Sequence, residues 1–133
     1  MTKKAEKELF FKWNKLKIEI NNKSKINFYF YEREVWWASL GKNIGFEQNG
    51  KNKTFERPVL IIKKFNKNVL WIIPFTSTLK SNKYYHNLKH NKESYSLILS
   101  QIRLISSKRL TRKIRRVPKK EFKIIKDKLK NFL

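Results

Sequence analysis

The chain has 133 residues, 40% of them hydrophobic, which suits one domain with a core of its own and argues against a disordered tail. It has no cysteine, which excludes a disulfide framework and a thiolate metal site, and its apolar runs are far shorter than the roughly 18 residues of a membrane span. Thirty-three Lys and Arg against 10 Asp and Glu leave a formal charge of +23, so the expected partner is an anion: nucleic acid, an acidic protein or an anionic membrane.

Residues 3–22 read as a helix, because Leu9, Trp13, Leu16 and Ile20 recur on one face of a 3.6-residue period. Asn21 to Lys25 break the pattern, so residues 1–25 form a helical extension and 26–133 the main domain. Residues 26–40 are apolar and aromatic, as strands are. Residues 41–57 hold all three glycines and form a long loop, a length usually tied to function. Pro58 to Phe65 and Val69 to Phe75 are strands flanking the short Asn66-Lys67-Asn68 connection, with Pro58 and Pro74 at strand ends. Residues 76–94 are polar and irregular. Tyr95 to Leu99 and Ile102 to Ile105 are strand material, Ser107 to Leu110 one helical turn, and Thr111 to Val117 a last strand. Pro118 opens a terminal helix with Phe122, Ile125, Leu129 and Phe132 on its apolar face. Short strands ending in a helix predict a mainly β, α+β fold: a small bent sheet or barrel with helices packed on it.

Arg57 ends the glycine-bearing loop and opens an apolar strand, and Pro58 biases it towards extended backbone. A guanidinium on a rigid strand suits bidentate phosphate contact. Pairing with Glu47 or Glu56 is the structural alternative. Thr76, Ser77 and Thr78 follow the next buried strand, where ligand sites often lie, although hydroxyl clusters are also ordinary turn chemistry. His86, His90 and Glu93 have metal-ligand side chains, but their segment lacks helical periodicity, so no metal site is expected. Nine basic residues and no acidic one lie between Ser94 and Lys120, a stripe fit for an RNA backbone or an acidic protein tail, or a solvated face.

Gly45-Phe46-Glu47-Gln48, Arg57-Pro58-Val59-Leu60-Ile61-Ile62, Pro74-Phe75-Thr76-Ser77, Ser100-Gln101-Ile102-Arg103 and Lys108-Arg109-Leu110 together resemble the MazF/PemK toxins of type II toxin–antitoxin systems over about residues 34–133. The first 33 residues lie outside the typical family core. The resemblance implies a small SH3-like, CcdB-type β-barrel with a C-terminal helix. It also implies a homodimer, an acidic antitoxin as partner, and a metal-independent, cofactor-free endoribonuclease that cuts single-stranded RNA (mRNA) at short sequences. It assigns catalysis to Arg57 and Thr76, with Glu47 as base or as orienter of Arg57. The chain departs from the pattern twice. Eight residues, Asn49 to Glu56, separate Gln48 from Arg57, and Phe46 replaces a serine.

The expected chemistry is attack of the RNA 2′-hydroxyl on the adjacent phosphate, leaving 2′,3′-cyclic phosphate and 5′-hydroxyl ends. Gln48, Asn49, Lys51, Lys53, Ser77, Thr78 and Lys80 are the expected RNA contacts. Phe46 and Phe55 either stack bases or fold inward. Trp36, Trp37 and Trp71 are expected in the core or a dimer interface. A cytoplasmic location without membrane contact is expected. Two rivals stand beside the nuclease: a CcdB-like poison of gyrase, and a non-catalytic nucleic-acid binder.

Overall fold

The computed structural model describes residues 1–24 and 27–133. The expected boundary between residues 25 and 26, and the expected strand start at Ile26, lie outside the described residues.

Helix α1 (Lys3–Asn21) is capped by Thr2, whose hydroxyl accepts from the Ala5 N–H at 3.0 Å. Seven strands follow: β1 (Glu34–Ser39), β2 (Glu56–Lys64), β3 (Val69–Thr76), β4 (Tyr85–His90), β5 (Glu93–Ile98), β6 (Arg103–Ser106) and β7 (Leu110–Arg116). Helix α2 (Lys119–Lys130) closes the chain. All strand pairs are antiparallel, in the order β4-β5-β3-β2-β1-β7, with β6 also on β3. The result is a curled half-barrel with a helix from each end of the sequence, an α+β fold.

β3 is the hub. Val69 to Ile72 pair with β6, whereas Phe75 and Thr76 pair with β5. Pro74 stands where β3 changes neighbours, so its missing N–H interrupts no ladder. Pro58 faces Trp37 of β1 just before the β2–β3 pairing begins at Val59. Both prolines therefore lie inside strands rather than at their ends, each where one side of the strand is open.

The sheet is buried on both faces, which explains the unbroken apolar run of β2. Leu60, Ile62, Ile73 and Phe75 pack with Phe122 and Ile125 of α2. Val59, Ile61, Leu70 and Ile72 pack on the other face with Phe30, Trp36 and Leu110. Helix α1 makes a third cluster through Trp13, Ile20, Leu9 and Leu16, joined by Phe55. Trp36 is core, as expected, whereas Trp71 is exposed, edge-on to Phe65 at 5.0 Å.

Two segments differ from expectation. Residues 27–33 are irregular, and β1 begins only at Glu34, after Arg33 takes a positive φ of 76°. The buried Glu34 carboxylate organises this turn, accepting from the Tyr31 N–H at 2.8 Å and the Trp36 indole at 3.1 Å. Lys113 and Arg116 of β7 reach it at 2.9 and 3.2 Å. Residues 76–94 contain β4, joined to β5 by Asn91 and Lys92, both at positive φ as a two-residue hairpin turn needs. His86 and Leu88 of β4 are buried between exposed Asn87 and Lys89. His86 is gripped by α2, with Nε2 2.6 Å from Glu121 and Nδ1 2.7 Å from Lys128. Among the described residues no helix is long and apolar enough to cross a membrane.

Candidate active site

The loop from Leu40 to Phe55 is stitched by its own polar groups. Asn43 donates through Nδ2 to the carbonyls of Leu40 (3.1 Å) and Gln48 (2.9 Å), and its N–H meets Asn49 Oδ1 at 2.5 Å. Lys51 and Glu56 exchange backbone hydrogen bonds of 2.8 and 2.9 Å, so most of the eight-residue insertion is a small closed turn. Gly50 lies against that turn: a Cβ there would sit 1.5 Å from the Phe55 oxygen. Gly41, at φ +87°, gives up the space that the Trp13 ring of α1 occupies. Phe55 turns inward onto Trp13 with ring centroids 5.6 Å apart, which takes it away from base stacking. Phe46 remains fully exposed.

Arg57, near the start of β2, is only 7% exposed. Its Nε donates to the Asn49 carbonyl at 2.6 Å and its Nη1 to the Phe75 carbonyl at 3.1 Å. With the Gln48 amide turned oxygen-first, as these donors require, Nη2 donates to it at 2.7 Å. Burial lowers the guanidinium's pKa from its ordinary value. The Arg57–glutamate pair left open by the sequence does not form. Glu56 takes Arg112 at 3.1 Å, and Glu47 Oε1 accepts from the Ile44 N–H at 3.4 Å. Among the described residues Arg57 has no carboxylate partner, and three neutral oxygens hold it.

Arg57, Glu47, Gln48, Asn49 and Lys51 line one cavity of about 550 Å³, whose far wall includes Met1 and Leu9. Thr76 is half-buried at the end of β3, directly after the residue whose carbonyl takes Arg57 Nη1, and its Oγ1 accepts from the Thr78 N–H at 3.3 Å. It is not part of that cavity wall. Ser77, Thr78 and Lys80 are exposed beyond β3, and Lys53 is exposed on the insertion. Of the ten expected site residues, five thus line one cavity, Thr76 stands half-buried outside it, and four lie on nearby surface.

Three groups quoted in the sequence motifs, but given no site role there, stand close to this loop. Gln101, from the turn before β6, accepts from the Gln48 N–H at 2.7 Å and donates to the Phe46 carbonyl at 3.0 Å, pinning the loop 53 residues away. It stands in the Ser100-Gln101-Ile102-Arg103 motif, the only signal that marks it. Arg103 and Arg109 are the others. Burial lowers the pKa of both; the Glu47 charge opposes this for Arg103, and repulsion from Arg103 adds to it for Arg109. Glu47 therefore acts on Arg103. Several cations of the basic stripe are structural: Arg112 holds Glu56, while Lys113 and Arg116 hold Glu34.

Residues 31–133 match the family model described as PemK-like, MazF-like toxin of type II toxin–antitoxin system. Comparison with curated protein sequences finds no match. Among solved structures, MazF from Deinococcus radiodurans superposes with a TM-score of 0.68 at 18% identity, over 80% of this chain and 97% of that one. An endoribonuclease in complex with its cognate antitoxin, from a mycobacterial species, gives 0.60 at 13% identity, over 77% and 93%. The Mycobacterium tuberculosis toxin MazF-mt6 gives 0.58 at 15% identity, over 74% and 94%. These likenesses are of fold, and the family match spans most of the sequence. The chain belongs to the PemK-like, MazF-like toxins of type II toxin–antitoxin systems.

Proposed function

We propose that this chain is a toxin that cleaves single-stranded RNA without a metal ion, leaving 2′,3′-cyclic phosphate and 5′-hydroxyl ends. One observation carries the reading: a buried guanidinium, held by neutral oxygens and lacking a counter-ion, faces a cavity. A desolvated cation without a partner is costly, and a phosphate supplies the missing charge. The 2′-oxygen bonds to phosphorus as the bond from phosphorus to the 5′-oxygen breaks. Arg57 neutralises the charge that gathers on the phosphorane oxygens and is the proton donor to the departing 5′-oxygen. Thr76 hydrogen-bonds the phosphate. Glu47 takes the 2′-hydroxyl proton. Gln48, Asn49 and Lys51 hold the strand inside the cavity, and Lys53, Ser77, Thr78 and Lys80 hold it outside.

The toxin acts in the cytoplasm as a homodimer under an acidic antitoxin, whose charge suits a chain of +23. Exposed Trp71, paired in register with exposed Leu104 of the β6 edge, supports a surface for a second copy.

The test is a defined single-stranded RNA incubated in EDTA with the wild type, Arg57→Ala and Arg57→Lys, with analysis of both product ends. The expected result is cyclic phosphate ends from the wild type and none from Arg57→Ala, with the fold of each variant checked by circular dichroism. Cleavage that needs a divalent ion, or that survives in Arg57→Ala, overturns the proposal.

A further inference from the structure

Helix α1 lies outside the residues that match the family, yet it is seated on the loop that carries the candidate site. Between them runs a second cavity of about 570 Å³, with Phe11 and Lys17 of α1 on one wall and Lys42, Arg103 and Arg109 on the others. Lys42 and Glu47 line this cavity and the Arg57 cavity alike, so the two are neighbours.

Four cations, Lys17, Lys42, Arg103 and Arg109, outnumber Glu47 on its walls. Lys42 is paired with Glu6 at 3.4 Å. Lys17, Arg103 and Arg109 have no carboxylate within ion-pair distance among the described residues. Arg109 uses Nη1 on the carbonyls of Ser39 (3.1 Å) and Leu40 (3.4 Å) and lies 5.6 Å over the Trp13 ring. Beside these cations Phe11 is 64% exposed, with no core to fill and with Lys7 Nζ 5.9 Å from its ring centroid. Phosphates attract the first set of groups, and an unpaired base has a face for the second.

We propose that α1 and the Arg103–Arg109 pair form an accessory subsite for single-stranded RNA, which holds nucleotides flanking the one cut at Arg57. The proposal rests on the reading of the chain as a ribonuclease. A flanking phosphate lies between Lys17 and the two guanidinia, and its base stacks on Phe11. The helix thereby makes a longer RNA a better substrate than a minimal one. An acidic peptide would answer the same cations, but cations beside an aromatic plate, next to the Arg57 cavity, match the phosphates and bases of one strand.

The test compares wild type with the Phe11→Ala/Lys17→Ala variant on single-stranded RNAs of about 5 and about 15 nucleotides, a span that brackets known single-strand site sizes. Both side chains are exposed, so the variant keeps its core. The expected result is a fall of about tenfold in the preference for the longer RNA, expressed as the ratio of kcat/KM values and carried by KM. In parallel, 5-iodouridine RNA is photocrosslinked to wild type and Arg57→Ala, and crosslinks at Phe11 are expected in both. Crosslinking of the wild type at Phe11 with no cleavage by the wild type supports an RNA site on α1 and defeats the nuclease reading. Cleavage with an unaltered length preference and no crosslink at α1 defeats the subsite and leaves the nuclease reading intact. An acidic peptide that binds α1 while RNA does not also defeats it.

Discussion

Two buried charges show how differently one small protein can treat an ion. Glu34 is 2% exposed and has two N–H donors and two cations on it. Burial alone would push its pKa up, but Lys113, the Trp36 indole, the Tyr31 N–H and Arg116 together hold it below the ordinary carboxylate range. Arg57 is almost as deep, yet it has only neutral oxygens around it and a cavity beside it. The first charge is complete, so it fixes a turn. The second is left short of one negative charge, and that deficit is what a bound phosphate would remove.

The contrast can be broken from either side. Arg57→Ala should abolish detectable RNA cleavage, a loss of at least about a thousandfold, as loss of a group that stabilises transition-state charge does; Arg57→Lys keeps the charge but not the fork and should recover little of it. Initial rates on a defined RNA measure both. Glu34→Ala strips the partners from Trp36 and Tyr31 and should destabilise the fold by about 3 kcal/mol in urea unfolding, with cleavage per folded molecule intact.

Acid sharpens the comparison. Because folding lowers the pKa of Glu34, its contribution is complete above the unfolded-state value of about 4 and is lost as pH falls through the lower folded value. Stability measured down to strongly acid pH should drop in wild type and drop less in Glu34→Gln. Gln101→Ala should have the smallest effect. It releases the Gln48 and Phe46 backbone from their clamp, so cleavage should fall about tenfold while stability changes by about 1 kcal/mol, read from kcat/KM and thermal unfolding.

Much of this was legible in the residues. The hairpin around Asn66 to Asn68, the apolar stripes of both helices and the placement of Arg57 between a glycine-bearing loop and an apolar strand all follow from local pattern. What local pattern hides is alternation written in polar letters: His86 is buried in β4 because α2 supplies Glu121 and Lys128, and no nearby residue announces that. The late start of β1 depends on Lys113 and Arg116, about eighty residues away, meeting Glu34. The Gln101 clamp spans 53 residues, so its motif could mark it without saying what it holds. Phe55 could be resolved only by seeing Trp13 arrive above it.

That last contact has a mechanical side. The carbonyl of Phe55 takes both the Leu40 and Gly41 N–H groups, at 2.9 and 3.2 Å, while its ring supports α1, and Arg57 follows two positions later. One residue is thus a shared bracket for helix, hairpin base and guanidinium. Levering the helix off would not shed a passive ornament. It would loosen the mounting on which the arginine's aim depends.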